Sequence, residues 1–170
     1  GVFFALEDQP AGKTGALDQK DKQFTSNIVV ADSKGTLLFK NTDSVDHNIF
    51  ASDSKQGIQF DIGLMTPGQE SDFQPTWAEN TIVRVGCKIH PKMRSYIANI
   101  NSSTHLPLVF TKGIVEYSFD LKNVASSVKS LALLFPGYDF AEVNIAKGES
   151  KELTITKKGV DKAHAKISRK

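Results

Sequence analysis

Cys87, His90 and Met93 fall within seven positions of one another, in the stretch Gly86-Cys87-Lys88-Ile89-His90-Pro91-Lys92-Met93, and Cys87 is the only cysteine among 170 residues. A thiolate, an imidazole and a thioether at Cys-x2-His-x2-Met spacing form a soft donor set. Such donors suit copper, which accepts one thiolate and two imidazoles in a plane with a weak thioether on the axis. Two-residue gaps let the three side chains converge from a single loop, and Pro91 stiffens it. The set lacks one imidazole. His47, in Asp46-His47-Asn48-Ile49-Phe50 about forty residues upstream, is the candidate for it. Taken singly, a strand-ending cysteine is a small buried hydrophobe, and a lone histidine is a surface or hydrogen-bonded residue. The combination is what packing does not explain.

These residues need elements that bring them together, and the chain reads as all-β. Thr81–Val85 is a β-branched run that delivers Cys87 at its end, and Ser95–Ile100 restarts a strand just after Met93. Val2–Leu6, Asn27–Val30, Thr36–Lys40, Ile49–Ala51, Ile58–Ile62 and Ser71–Phe73 are further short strands bounded by turn residues, with Pro67-Gly68 the strongest turn signal. The segment from Asp8 to Lys22, with Pro10, Gly12 and Gly15, reads as a loop. Downstream, Gly113–Leu121 alternates polar and apolar residues. Lys129–Phe135, Phe140–Ile145 and Glu152–Ile155 complete four more strands. No segment carries an apolar repeat of helical period, and none approaches the ~18 apolar residues of a membrane span.

Composition bounds the function classes. Hydrophobic residues at 39% and charged residues at 24% describe a globular chain. The net charge of +2 is uneven: residues 157–170 hold six Lys or Arg and one Asp, leaving the body mildly acidic. No basic patch is interleaved with aromatics, which argues against nucleic acid as a partner. The basic end reads as a solvated, partly frayed tail. His105 and His164 read as surface residues. No signal peptide is visible before Gly1-Val2-Phe3-Phe4, and oligomeric state is not legible.

The motifs Asp46-His47-Asn48-Ile49-Phe50, Leu64-Met65-Thr66-Pro67-Gly68-Gln69 and Cys87-Lys88-Ile89-His90-Pro91-Lys92-Met93-Arg94 resemble those of the cupredoxins, above all the amicyanin and methylamine-utilisation branch. The resemblance covers roughly residues 19–101. It implies a Greek-key β-sandwich over residues 1–102 that holds one type-1 copper through His47, Cys87, His90 and Met93, with Asn48 bonding behind them. Met65 is a rival thioether. Residues 103–156 weakly resemble a small carboxypeptidase-regulatory-like β-sandwich, and residues 157–170 would be the basic tail.

The function implied is a non-enzymatic periplasmic carrier that passes single electrons between redox partners, with His90 as the port and the docking face. The alternative is a copper-storing or copper-delivering protein. Two features depart from the family. Gly86 stands before the cysteine where many relatives carry a bulky side chain. Lys88, Lys92 and Arg94 make a basic rim that suits an acidic partner.

Overall fold

The computed structural model describes residues 1–170, which form strands and turns without a helix. In chain order the first eight strands are β1 (Val2–Ala5), β2 (Gly15–Lys20), β3 (Gln23–Phe24), β4 (Val29–Asp32), β5 (Leu37–Asn41), β6 (His47–Asp53), β7 (Ile58–Met65) and β8 (Glu70–Phe73). They are followed by β9 (Thr81–Gly86), β10 (Arg94–Ile100), β11 (His105–Pro107), β12 (Glu116–Leu121), β13 (Ser130–Leu134), β14 (Ala141–Asn144), β15 (Ser150–Lys157) and β16 (Val160–Arg169). The chain divides into two compact units, one of residues 10–100 and one of residues 1–9 with 101–170.

The unit of residues 10–100 is a β-sandwich of a five-stranded sheet, ordered β4-β10-β9-β6-β7, and a four-stranded sheet, ordered β3-β2-β5-β8. Pairing is antiparallel except for β4 with β10 and β2 with β5. Successive side chains of a strand face opposite ways, so alternate residues line the interior. Leu17, Leu37 and Phe39 from one sheet meet Val29, Ile49, Ala51, Val83, Val85 and Ile97 from the other. Phe39, Phe73, Phe60 and Trp77 add a run of ring contacts with centroids 4.6–5.8 Å apart.

Strand β2 lies inside the segment read from sequence as a loop. Its glycine and charged residues hide the pattern, yet Leu17 and Gln19 are buried and the strand pairs with β5 from Gly15 to Gln19. Gly15 opens it because a Cβ there would stand 2.7 Å from the Val30 carbonyl oxygen.

The other unit is a second β-sandwich, with one sheet ordered β11-β1-β13-β14 and the other β12-β16-β15. Phe3, Leu131, Leu133 and Val143 pack with Leu121, Leu153, Ile155, Ala163, Ala165 and Ile167. This arrangement corrects two sequence expectations. The first strand does not belong with residues 10–100: β1 is buried along its whole length, between β11 and β13. Residues 157–170 are not a frayed tail either. β16 is the central strand of its sheet, with Ala163, Ala165, Ile167 and Arg169 turned inward and His164 and Lys166 between them exposed.

Arg169 ties the β12–β13 loop to the end of β14. Its guanidinium donates to the carbonyls of Val128 at 2.6 Å, Ile145 at 2.8 Å and Ala125 at 2.6 Å. Replacing Arg169 by Ala strands those buried acceptors, and hydrogen bonds from a charged donor are worth ~1.5–3 kcal/mol each. Arg169→Ala should therefore cost about 3 kcal/mol and remove hydrogen-exchange protection from β12 and β15. A frayed tail would leave that protection unchanged.

Candidate metal centre

His47 is the first residue of β6, and Cys87 is the first residue beyond β9. The two strands meet through one antiparallel rung, Phe50 opposite Gly86, which sets both donors at the same end of the sheet. The loop from Cys87 to Met93 then returns the chain into β10. It is closed by the Met93 N–H donating to the His90 carbonyl at 2.9 Å. Asn48 clamps its start, because its side-chain oxygen accepts the Lys88 N–H at 2.7 Å and its amide donates to Asp61 at 3.1 Å. Asp61 in turn pairs with the Lys88 ammonium at 2.6 Å, which holds the Asp61 carboxyl below the usual carboxylate range.

Three donors converge. The Cys87 Sγ lies 3.9 Å from the Nδ1 of His47 and 3.9 Å from the Nδ1 of His90, and the two nitrogens are 3.0 Å apart. His47 is fully buried, Cys87 is 2% exposed and His90 is half-buried. In this triangle a point about 2.0 Å from both nitrogens falls in the plane about 2.3 Å from the sulfur, the bond lengths zinc adopts with imidazole and thiolate. A first-row ion therefore fits the space between them. One thiolate with two imidazoles in a plane is the donor chemistry that favours copper.

The His47 ring is aimed by a residue that sequence reasoning missed. Its Nε2 is bonded to the Asp43 carboxylate at 2.9 Å, which places the proton there and leaves the Nδ1 lone pair facing the centre. Asp43 is held by the Lys22 N–H at 2.7 Å and the Ser44 N–H at 2.7 Å. The Lys22 N–H first, then His47 and after it the Ser44 N–H, bring its pKa down to about 2. Asn41 fixes the turn, accepting the Asp43 N–H and donating to the carbonyls of Val45 and Met65. A carboxylate four residues before a candidate ligand is the signal that could have found Asp43.

The two thioethers differ. Met93 is buried at the end of the ligand loop. Met65 is also buried and stands opposite His47 in the β6–β7 ladder, but its Sδ accepts the Gln19 amide at 3.4 Å. Gly86 has a local explanation: a Cβ there would stand 3.3 Å from the Phe50 ring, so Phe50 covers the position across the strand. His105 lies in β11 and His164 is an exposed residue of β16, both in the other unit.

Among solved structures the chain is similar to a purple cupredoxin from Nitrosopumilus maritimus, with 16% identity over 50% of this chain and 98% of that one and a TM-score of 0.43. It is similar to amicyanin from Paracoccus versutus, with 18% identity over 57% of this chain and 96% of that one and a TM-score of 0.44. A Cu-containing nitrite reductase from Thermus scotoductus matches at 16% identity over 50% of this chain and 22% of that one, with a TM-score of 0.44. No family model and no curated protein matches the chain. The unit of residues 10–100 thus combines an all-strand sandwich with a His–Cys–His cluster at one end of its five-stranded sheet.

Removing the carboxylate that orients His47 should weaken metal binding without removing a donor. Asp43→Ala is expected to lower copper affinity ~10–100-fold in competition titrations, and Asp43→Asn, which still accepts the Nε2 proton, by less. Burial, then the neighbouring His47 and Lys22, lower the pKa of His90 from 6.5. Its neutral, metal-binding form therefore survives to lower pH than an ordinary imidazole. Copper uptake followed against pH should hold below 6.5 before protons displace the metal.

Proposed function

We propose that this protein is a type-1 copper carrier that passes single electrons between redox partners outside the cytoplasm. His47, Cys87 and His90 would hold the ion, with the Met93 thioether as a further, weak donor. The observation that carries this reading is the 3.0, 3.9 and 3.9 Å triangle of two imidazole nitrogens and one sulfur. Copper bound there supplies a one-electron change between Cu(I) and Cu(II). The chain supplies a donor set already in place. Asp43 fixes the His47 tautomer, and Asn48 fixes the backbone just beyond Cys87. Held donors keep the geometry of the two oxidation states close, which favours fast exchange.

The burial of His47 and Cys87 supports a carrier over an enzyme, since only His90 is part-exposed. Met93 is favoured over Met65 because the Met65 sulfur is occupied by the Gln19 amide. Around His90 the surface combines exposed apolar Ile89 (46%), with Leu64 (56%) opposite Asn48 on β7, and the exposed cations Lys92 and Arg94. Lys88 counts for less in that rim, being paired with Asp61. This mixture suits docking of a redox partner with an acidic edge over His90. No helix of the chain is long and apolar enough to cross a membrane.

Oxidised, copper-loaded protein should show an intense thiolate-to-copper absorption and the narrow hyperfine splitting of a type-1 centre, and Cys87→Ser should abolish both. Met93→Ala should shift the band and raise the potential more than Met65→Ala does. A colourless copper complex overturns the assignment. Copper passing to a chelator faster than electrons exchange would favour storage or delivery instead.

A further inference from the structure

β6 and β9 share only the rung between Phe50 and Gly86, and beside it the surface opens into a groove of about 560 Å³. One wall is Phe50–Lys55, the other Arg84–Lys88, and Cys87 and Met93 line the groove next to the metal centre. Gly86 keeps the floor low, since any Cβ there would press on the Phe50 ring. Antiparallel pairing about the single rung sets Lys88, Arg84 and Lys55 in that order along the groove. Arg84 lies in β9 and Lys88 two residues beyond its end, at most roughly 13 Å of chain apart.

The charges in the groove are unevenly satisfied. Asp53 is its one acid, and that carboxylate is used by its own turn, accepting the N–H groups of Lys55 and Gln56 and the Gln56 amide. Lys88 is paired with Asp61 and lies 5.5 Å over the Phe50 ring. Arg84 is exposed, and its guanidinium makes no ion pair or hydrogen bond. A small anion needs cations that converge on one point, whereas these are strung out along a line. A strand of about six residues spans ~20 Å, a length that would reach all three.

We propose that this groove seats an extended acidic segment of the protein's redox partner, alongside the Cys87 thiolate and apart from the face over His90. The proposal rests on the reading of the site as an electron-transfer centre. Phe50 gives the segment an apolar rest, while the exposed Arg84 and Lys55 give it cations, of which Arg84 is paired with no acid. The partner would then lie beside the Cys87 sulfur, at a surface whose affinity falls as salt rises.

Hexaglutamate titrated into the isotopically labelled full chain, loaded with Cu(I), tests this. Saturable amide shifts should map to Phe50–Lys55 and Arg84–Lys88 and weaken as salt is raised, while hexalysine should give none. Arg84→Glu combined with Lys55→Glu should weaken binding at least ~10-fold while the absorption band and the remaining spectrum stay unchanged. Shifts confined to Leu64 and Ile89–Met93, or equal binding by the double variant, overturn the proposal. The same titration on Cys87→Ser separates the two readings. Peptide binding without any thiolate band in the parent protein leaves the groove standing and removes the copper assignment. A normal band without peptide binding removes the groove alone.

Discussion

Two imidazole nitrogens 3.0 Å apart and a sulfur 3.9 Å from each are an arrangement that no packing preference produces by itself. The ligand atoms of three side chains face one point, in surroundings where water reaches only the edge of His90. Each donor forgoes part of its hydration to be there, and the rest of the sandwich is arranged so that none can turn away. Asp43 holds the far nitrogen of His47 in a hydrogen bond, which fixes the ring about both of its free torsions. Asn48 holds the first N–H after Cys87, so the loop leaves the strand in one direction only.

The strands supply the coarse placement on which these contacts act. β6 and β9 run antiparallel with their inner residues, Ile49, Ala51, Val83 and Val85, locked in the core. A one-residue slip of either strand would turn every one of those side chains outward. The donors therefore inherit their position from hydrophobic burial along the strands and their orientation from polar contacts at the strand ends. Gly86 belongs to this division of labour. It sits at the only rung between the two strands, where the Phe50 ring crosses over it, so bulk next to the cysteine comes from the neighbouring strand.

How much of this the sequence discloses depends on the range of each interaction. Cys87, His90 and Met93 are legible because their convergence is set by loop spacing, and His47 because it heads a β-branched and aromatic run. Asp43 is not legible in the same way, since its role depends on a turn built by Asn41 and by the N–H of Lys22 from the distant β2–β3 turn. β16 is hidden for a different reason. Its inward residues include two alanines and an arginine, so a strand central to its sheet carries the composition of a solvated tail. β1 reads correctly as a buried strand, but the choice of sheet is decided by Leu131 and Leu133 more than a hundred residues later. Local pattern gives strand identity, whereas partner choice is a property of the whole chain.

Lys88 joins these levels. Its N–H is held by Asn48, its ammonium by Asp61, and Asp61 also accepts from the Asn48 amide and the Gly63 N–H. The surface charge next to Cys87 and the hydrogen bond that positions the ligand loop are thus parts of one closed network. A carboxylate brought up by a partner competes with Asp61 for the ammonium. That competition bears on the side chain that clamps the loop, not on a free charge at the rim. An exposed ion pair of this kind contributes little stability, so its loss would leave the sandwich intact. What it would alter is the tension on the residue after Cys87, and through it the sulfur.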